Sequence, residues 1–213
     1  MLFCAKARQR NYSIIKALYY KRIGMIKKEL RKIYLEKRSK LSARDLTRLD
    51  SLLLIRFQQV ALGHIQSLLS FWPIHEKAEI NTHLIVDYLS FIIPELQLAF
   101  PVMEQTDNIF KAILVDEDTH YVKNNYGVAE PVSGEELSAG NIDVVFVPLL
   151  AFDTNGFRVG YGKGFYDRFL KSCSADVIKI GFSYFEAEAA IDDISEFDVP
   201  LSICITPNKI YEF

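Results

Sequence analysis

The stretch from Asp153 to Asp167 reads Asp-Thr-Asn-Gly-Phe-Arg-Val-Gly-Tyr-Gly-Lys-Gly-Phe-Tyr-Asp and is the part of the chain best equipped for chemistry. Gly160, Gly162 and Gly164 alternate with Val159, Tyr161 and Lys163. Glycine lets the backbone take positive φ and lets a ligand approach without a Cβ in the way. A glycine-rich turn between a strand and a helix start aims several N–H groups at one point, where an anion is held well. Arg158 and Lys163 add two cations there, so phosphate is the natural guest. The spacing matches neither the P-loop pattern G-x-x-x-x-G-K-S/T nor the dinucleotide pattern G-x-G-x-x-G. A glycine turn alone reads as a structural bend; the two cations and the nearby Asp167 shift that balance. A carboxylate facing bound phosphates makes sense with a magnesium ion between them, and otherwise as a partner for the helix dipole.

The elements that must position this loop follow from periodicity. Ile26, Leu30, Ile33 and Tyr34 recur at helical spacing, as do Leu46, Leu49, Leu53 and Phe57 in a second helix. Ser42 with Asp45 resembles a capping box at the start of that second helix, and Gly63 is its expected stop. A strand is expected over Ile65 to Phe71, closed by Pro73. A third helix is expected from an Asn81 cap through Leu89 to near Pro94. Leu96 to Phe100, ended by Pro101, and Phe110 to Val115 read as strands, and 116–140 as mainly loop. Ile142 to Leu150 is apolar at nearly every position, as in a strand covered on both faces. A helix from Phe165 to Lys171 and strands at Val177 to Phe182 and Ile203 to Thr206 complete the alternation. The pattern predicts a single three-layer α/β/α domain over 25–213 with a largely parallel sheet.

With 50% hydrophobic and 24% charged residues the chain has the composition of a globular protein. A formal net charge of −2 argues against nucleic acid as a partner. No apolar stretch approaches the roughly 20 residues that cross a bilayer. Cys4, Cys173 and Cys204 lie far apart without metal-site spacing and read as reduced thiols of a cytoplasmic protein. His64, His75, His83 and His120 show no ligand spacing. Residues 1–24 form a basic leader without a single acid, either a targeting segment or the result of a mis-assigned start upstream of Met25.

The segment Asp153 to Asp167, with Val147-Pro148 and Ala151-Phe152 before it, resembles the signature of the 5-formyltetrahydrofolate cyclo-ligases, also called methenyltetrahydrofolate synthetases. Lys27-Lys-Glu-Leu-Arg31 resembles that family's N-terminal K-x-x-x-R. Asp198-Val-Pro-Leu201 followed by Thr206 is similar to its closing segment, and Phe71 to Thr82 to the stretch lining its folate site. The resemblance spans about Met25 to Thr206. It implies an open α/β fold similar to the isomerase and CoA-transferase-like folds, with ATP as co-substrate and Mg2+ as cofactor. It implies that Lys27, Arg31 and the loop Arg158, Val159, Gly160, Tyr161, Gly162, Lys163, Gly164, Phe165 and Tyr166 contact ATP. Trp72, Glu79 and the stretch Tyr161 to Phe165 are implied at the folate, Asp167 and Asp198 at magnesium, and Lys163 and Arg158 in catalysis. Phe165 stands where many members carry Tyr, Ser202 where Asp is frequent, and the Phe71 to Glu79 alignment needs a small insertion.

The resemblance further implies ATP-dependent closure of 5-formyltetrahydrofolate to 5,10-methenyltetrahydrofolate with release of ADP and phosphate, by a monomer acting on small molecules. Read without it, Lys27 and Arg31 are a solvated helix face, Trp72 a core residue and Glu79 a helix cap. Two other functions compete: a sugar-phosphate isomerase or deaminase that needs no nucleotide, and a module that binds folate or nucleotide without turnover.

Overall fold

The computed structural model describes residues 24–104, 109–125 and 127–213; all but Gly24 of the basic leader lies outside them. Four α-helices are present among these residues: α1 (Lys27–Ser39), α2 (Ala43–Phe57), α3 (His83–Ile92) and α4 (Phe165–Leu170). The strands are β1 (Ser67–Leu69), β2 (Gln97–Met103), β3 (Phe110–Leu114), β4 (Tyr121–Lys123), β5 (Ala129–Pro131), β6 (Glu136–Leu137), β7 (Val144–Val147), β8 (Ala151–Phe152), β9 (Arg158–Val159), β10 (Ile178–Phe182), β11 (Ile203–Ile205) and β12 (Ile210–Glu212).

Eight strands form one sheet in the order β12-β11-β10-β7-β1-β2-β3-β6. The five from β11 to β2 run parallel, and β12, β3 and β6 add antiparallel edges. Side-chain alternation assigns the two faces. Leu68, Val144, Phe146, Ile180 and Phe182 pack with Leu53 and Phe57 of α2 and Ile85 and Leu89 of α3. Leu69, Val145, Val147 and Cys204 face the other way, against Phe169 and Leu170 of α4. The three-layer, largely parallel architecture expected from the alternation of signals is the one observed.

Several boundaries differ from expectation. The apolar run Ile142 to Leu150 is not one strand: β7 stops at Val147, the chain turns at Pro148, and β8 pairs antiparallel with β9 in a separate hairpin. The glycine loop therefore leaves a hairpin rather than the sheet itself. Pro101 does not end β2, because β1 stops opposite Ala99 and beyond it β2 is bonded only to β3. Proline is tolerated where one side of a strand carries no ladder. Within 116–140 lie β4, β5 and β6, of two or three residues each and too short to show a period. Helix α2 ends at Phe57, well before Gly63. Thr82 rather than Asn81 occupies the N-cap of α3, and its hydroxyl donates to the Phe71 carbonyl at 2.8 Å. Asn81 still accepts from the His83 amide at 3.2 Å.

The capping box at Ser42 forms as read: Ser42 Oγ accepts from the Asp45 amide, and the Asp45 carboxylate accepts from the Ser42 amide, both at 3.2 Å. Ser42→Ala should lower unfolding stability by about 1 kcal/mol. Urea denaturation checks this, and an unchanged midpoint would show that the cap contributes nothing in this setting.

Candidate active site

From β1 the chain passes to β2 on one side, and it returns through β7 on the other. In open parallel sheets, such a reversal leaves a crevice at the carboxyl ends of the two strands. Here that crevice is a cavity of about 540 Å³, with Phe71 and Trp72 following β1 and Pro148 following β7 in its lining. Five cationic side chains line it (Lys27, Arg31, Lys77, Arg158 and Lys163) against three carboxylates, Glu79, Asp167 and Asp198. Of the residues expected at the site, all reach this cavity except Val159, which is fully buried against Leu30 and Leu150. The signature's Asp153 is structural: its Oδ1 accepts from the amides of Asn155 and Phe157, and its Oδ2 from that of Ile191.

Helix α1 lies across the β8–β9 hairpin, with Leu30 and Tyr34 packed on Leu150, Ala151 and Val159. Its first turn is held by the segment 191–193, where Asp193 Oδ1 accepts from the Lys27 amide at 2.7 Å and supplies a cap from far along the chain. The spacing of four residues then presents Lys27 and Arg31 to the cavity on one face. Lys27 Nζ pairs with Asp198 at 2.5 Å, and Arg31 Nε donates to the Gly160 carbonyl at 2.8 Å.

The loop itself uses its glycines differently. Gly162 and Gly164 have φ of +96° and +72°, a region that disfavours a side chain. A Cβ on Gly162 would also stand 3.2 Å from the Arg31 guanidinium carbon. Gly160 meets nothing within 4 Å of its would-be Cβ, so space is open there. Among the described residues, the amides of Tyr161, Gly162, Lys163 and Gly164 have no hydrogen-bond partner. Lys163 is exposed at the cavity and its ammonium has no acidic partner among them. Bare donors beside an unpaired cation make an anion cradle.

Arg158 sits behind that cradle, 7% exposed. Its guanidinium donates to the Val199 carbonyl and to Asp167 Oδ1, the latter at 2.9 Å. Asp167 Oδ1 also accepts from the Val199 amide at 3.0 Å, while Oδ2 makes no hydrogen bond among the described residues. Asp198 next in line accepts from Lys27 and from the amide and hydroxyl of Ser195. Burial works to raise its pKa, but Lys27 and Ser195 outweigh it and hold the carboxyl below its ordinary value. Among the described residues no three acidic, histidine or cysteine side chains gather as a preformed metal cage. The two carboxylates, Asp167 with an oxygen to spare, fit the lighter requirement of a magnesium ion that brings phosphate oxygens and water with it.

At the opposite end the walls are aromatic and apolar. Trp72 lies half-buried with ring centroids 4.6 Å from His83, 4.8 Å from Tyr121 and 5.7 Å from Phe100. Pro101, Met103 and Val128 continue the wall. Glu79 is 8% exposed, accepting from the Ile74 amide at 2.8 Å and from the Tyr161 hydroxyl at 2.5 Å. Burial first, then the Glu79 carboxylate, pushes the Tyr161 phenol well above its ordinary value, so it stands as a neutral donor. Met103 and Val128 were not legible as site residues, because nothing in their local sequence differs from an ordinary strand or turn, and Lys77 was covered only as part of the stretch Phe71 to Thr82.

A switch-point cavity with a cationic amide cradle at one end and an aromatic wall with a buried carboxylate at the other defines a class: α/β proteins built to bind a phosphorylated ligand beside a flat organic one. The chain belongs to the 5-formyltetrahydrofolate cyclo-ligase family, whose sequence pattern matches residues 24–207. It is 28% identical to the 5-formyltetrahydrofolate cyclo-ligase of Mycoplasma genitalium over 182 residues, covering 84% of this chain and 97% of that one. The solution structure of Aquifex aeolicus 5,10-methenyltetrahydrofolate synthetase superposes with a TM-score of 0.71 at 28% identity, covering 88% of this chain and 93% of its own. A 5,10-methenyltetrahydrofolate synthetase from Mycoplasma pneumoniae shares the fold, with a TM-score of 0.65 at 24% identity over 85% of this chain and 98% of its own.

Gly162→Ala forces a Cβ into a positive-φ position beside Arg31, a strain of about 1–2 kcal/mol on the loop. Gly162 is exposed, so in the free protein the loop relaxes away from this shape and the cost is met on binding. We expect ATP affinity to fall about tenfold, with little change in melting temperature. Calorimetric titration with a non-hydrolysable ATP analogue checks this; an unchanged Kd would remove the loop from nucleotide binding.

Proposed function

We propose that this chain closes the ring of 5-formyltetrahydrofolate to give 5,10-methenyltetrahydrofolate, consuming ATP and releasing ADP and phosphate. The observation that carries the reading is one continuous cavity in which the anion cradle and the aromatic wall share residues. Tyr161 belongs to the loop yet donates to Glu79 on the other side. A phosphoryl group held by the loop would therefore face an organic ligand held against Trp72.

The reaction needs such an arrangement. A formamide oxygen is a poor leaving group, and phosphorylation makes it a good one. The formyl oxygen attacks the γ-phosphorus, the bond to the ADP oxygen breaks, and a phosphorylated imidate-like species forms on N5. N10 then attacks the formyl carbon, its proton leaves, and phosphate departs as the N5–CH–N10 bridge closes. The protein's part is alignment and charge stabilisation rather than covalent chemistry. Lys163 and the bare loop amides would meet the transferring phosphoryl oxygens, with Lys27 and Arg31 holding the rest of the triphosphate. Arg158, fixed behind the loop, contributes positive potential and holds Asp167 in place. Magnesium held by Asp167 and Asp198 would offset charge on the β- and γ-phosphates when bound. Trp72 and the apolar wall would take the pterin, and Glu79 its N–H groups. A single chain supplies every one of these groups, which supports a monomer as the working unit, and we place it in the cytoplasm. No helix among the described residues is long and apolar enough to cross a membrane.

Mixing protein, 5-formyltetrahydrofolate, ATP and magnesium should raise the near-ultraviolet absorbance of methenyltetrahydrofolate, and omitting any one should abolish the rise. Turnover without nucleotide would point to an isomerase or deaminase, and tight binding without product to a module that only binds. Lys163→Ala should lower kcat by about 100-fold or more, the scale of one lost transition-state donor, in a protein with an unchanged melting curve. Near-normal turnover would overturn the assignment of Lys163. Asp167→Asn should raise the magnesium concentration needed for half-maximal rate, and a superimposable metal titration would take Asp167 out of the metal site.

A further inference from the structure

Arg38 lies on α1, beyond Lys27 and Arg31, and is 2% exposed. One of its terminal nitrogens donates to the carbonyl of Leu149, just past the carboxyl end of β7. Its Nε and Nη1 are buried and make no well-formed hydrogen bond, the Tyr161 hydroxyl being near enough for the guanidinium to act on it as a hydrogen-bonding neighbour. A buried guanidinium is among the costliest groups to take out of water, and arginines this deep normally pair with a carboxylate. Among the described residues Arg38 has no ion pair.

Two phenols, Tyr161 and Tyr184, feel its charge instead, Tyr161 also as a hydrogen-bonding neighbour. Both phenols converge on the segment of Glu79. Tyr161 donates to Glu79 Oε1 at 2.5 Å; Tyr184 donates to Asp50 Oδ1 at 2.7 Å and lies 3.5 Å from the Glu79 carbonyl. On the cavity side the Lys77 ammonium covers the Tyr161 ring, 4.4 Å from its centroid. Arg38, Tyr161, Glu79, Tyr184 and Asp50 thus form a polar cluster that reaches the cavity at Tyr161 and Glu79, with one cation for two carboxylates.

We infer that Arg38 is a positioning residue for the organic substrate, acting on Glu79 through Tyr161. A direct Arg–Glu pair would satisfy the carboxylate and withdraw it from a ligand. A guanidinium that faces the Tyr161 oxygen polarises the hydroxyl toward Glu79 and offsets the buried charge, and it leaves the remaining lone pairs of Glu79 for N–H groups of the substrate. The inference rests on the proposed function for the identity of that substrate.

The test compares Arg38→Met, Arg38→Lys, Tyr161→Phe and the combined variants. Arg38→Met should raise KM for 5-formyltetrahydrofolate about tenfold, the worth of one hydrogen bond involving a charged group, with KM for ATP changed less than about twofold. Arg38→Lys should recover most of that loss, and adding Arg38→Met to Tyr161→Phe should have little further effect. Equal rises in both KM values, no change in either, or full additivity with Tyr161→Phe would each overturn the inference and leave Arg38 as a holder of the Leu149 carbonyl. Should Arg38→Met fail to fold, Arg38→Lys in the two Tyr161 backgrounds decides: coupling supports the relay and additivity sinks it. Folate Kd values from quenching of Trp72, the sole tryptophan, repeat the comparison without turnover. A wild-type chain that binds folate but forms no product would defeat the ring-closure reading and leave the Arg38 comparison standing.

Discussion

The guanidinium of Arg158 is buried where three distant segments meet: the end of the β8–β9 hairpin, the first turn of α4, and the stretch around Val199. Burying that charge is expensive, and burial pushes it down from its ordinary pKa against the pull of Asp167 and Asp198. The expense is offset only if Asp167 and the Val199 carbonyl hold their places. Those places in turn set the glycine loop between Val159 and Phe165 and carry Asp198 to the cavity. A buried pair of this kind contributes little net stability, but removing one partner leaves an unpaired charge, so it restricts the geometry more than it strengthens the fold.

Around that point the division of labour follows exposure. Arg158 and Arg38 are buried and engaged with protein groups or facing them, whereas Lys163 is exposed at the cavity and unpaired among the described residues. A fixed buried guanidinium suits orientation, and a flexible ammonium at the surface suits a charge that must meet a moving phosphoryl group. Helix α1 connects the two regimes. One face carries Lys27, Arg31, Tyr34 and Arg38, the first two bonded to Asp198 and Gly160 of the cavity and the last two to Glu188 and Leu149 outside its lining.

Much of this is legible in the order of residues along the chain. The loop from Arg158 to Asp167 announces an anion site because three glycines, two cations and a carboxylate together exceed what a bend requires. The capping box at Ser42 and the amphipathic stripe of α2 are local features, set by contacts within one or two turns, and they form as read; in α1 the stripe holds at Leu30, Ile33 and Tyr34, whereas Ile26 precedes the helix and stays exposed. The short strands β4, β5 and β6 escape such a reading because two or three residues show no periodicity, and the break at Pro148 escapes it because an apolar run does not say where its hydrogen bonds go.

The sequence by itself determined the class of architecture, the gathering of glycines, cations and a carboxylate in one loop, and the placing of Lys27 with Arg31 on one helix face, since each depends on spacing along the chain. Only the tertiary structure decided what those groups meet. It set Tyr161 against Glu79, 82 positions apart, placed Arg38 against the Leu149 carbonyl, 111 apart, and made Asp153 a brace rather than a ligand. Whether a charge is buried or open to a ligand depends on neighbours brought in by sheet order. That order comes from the packing of two apolar faces, which no single segment encodes.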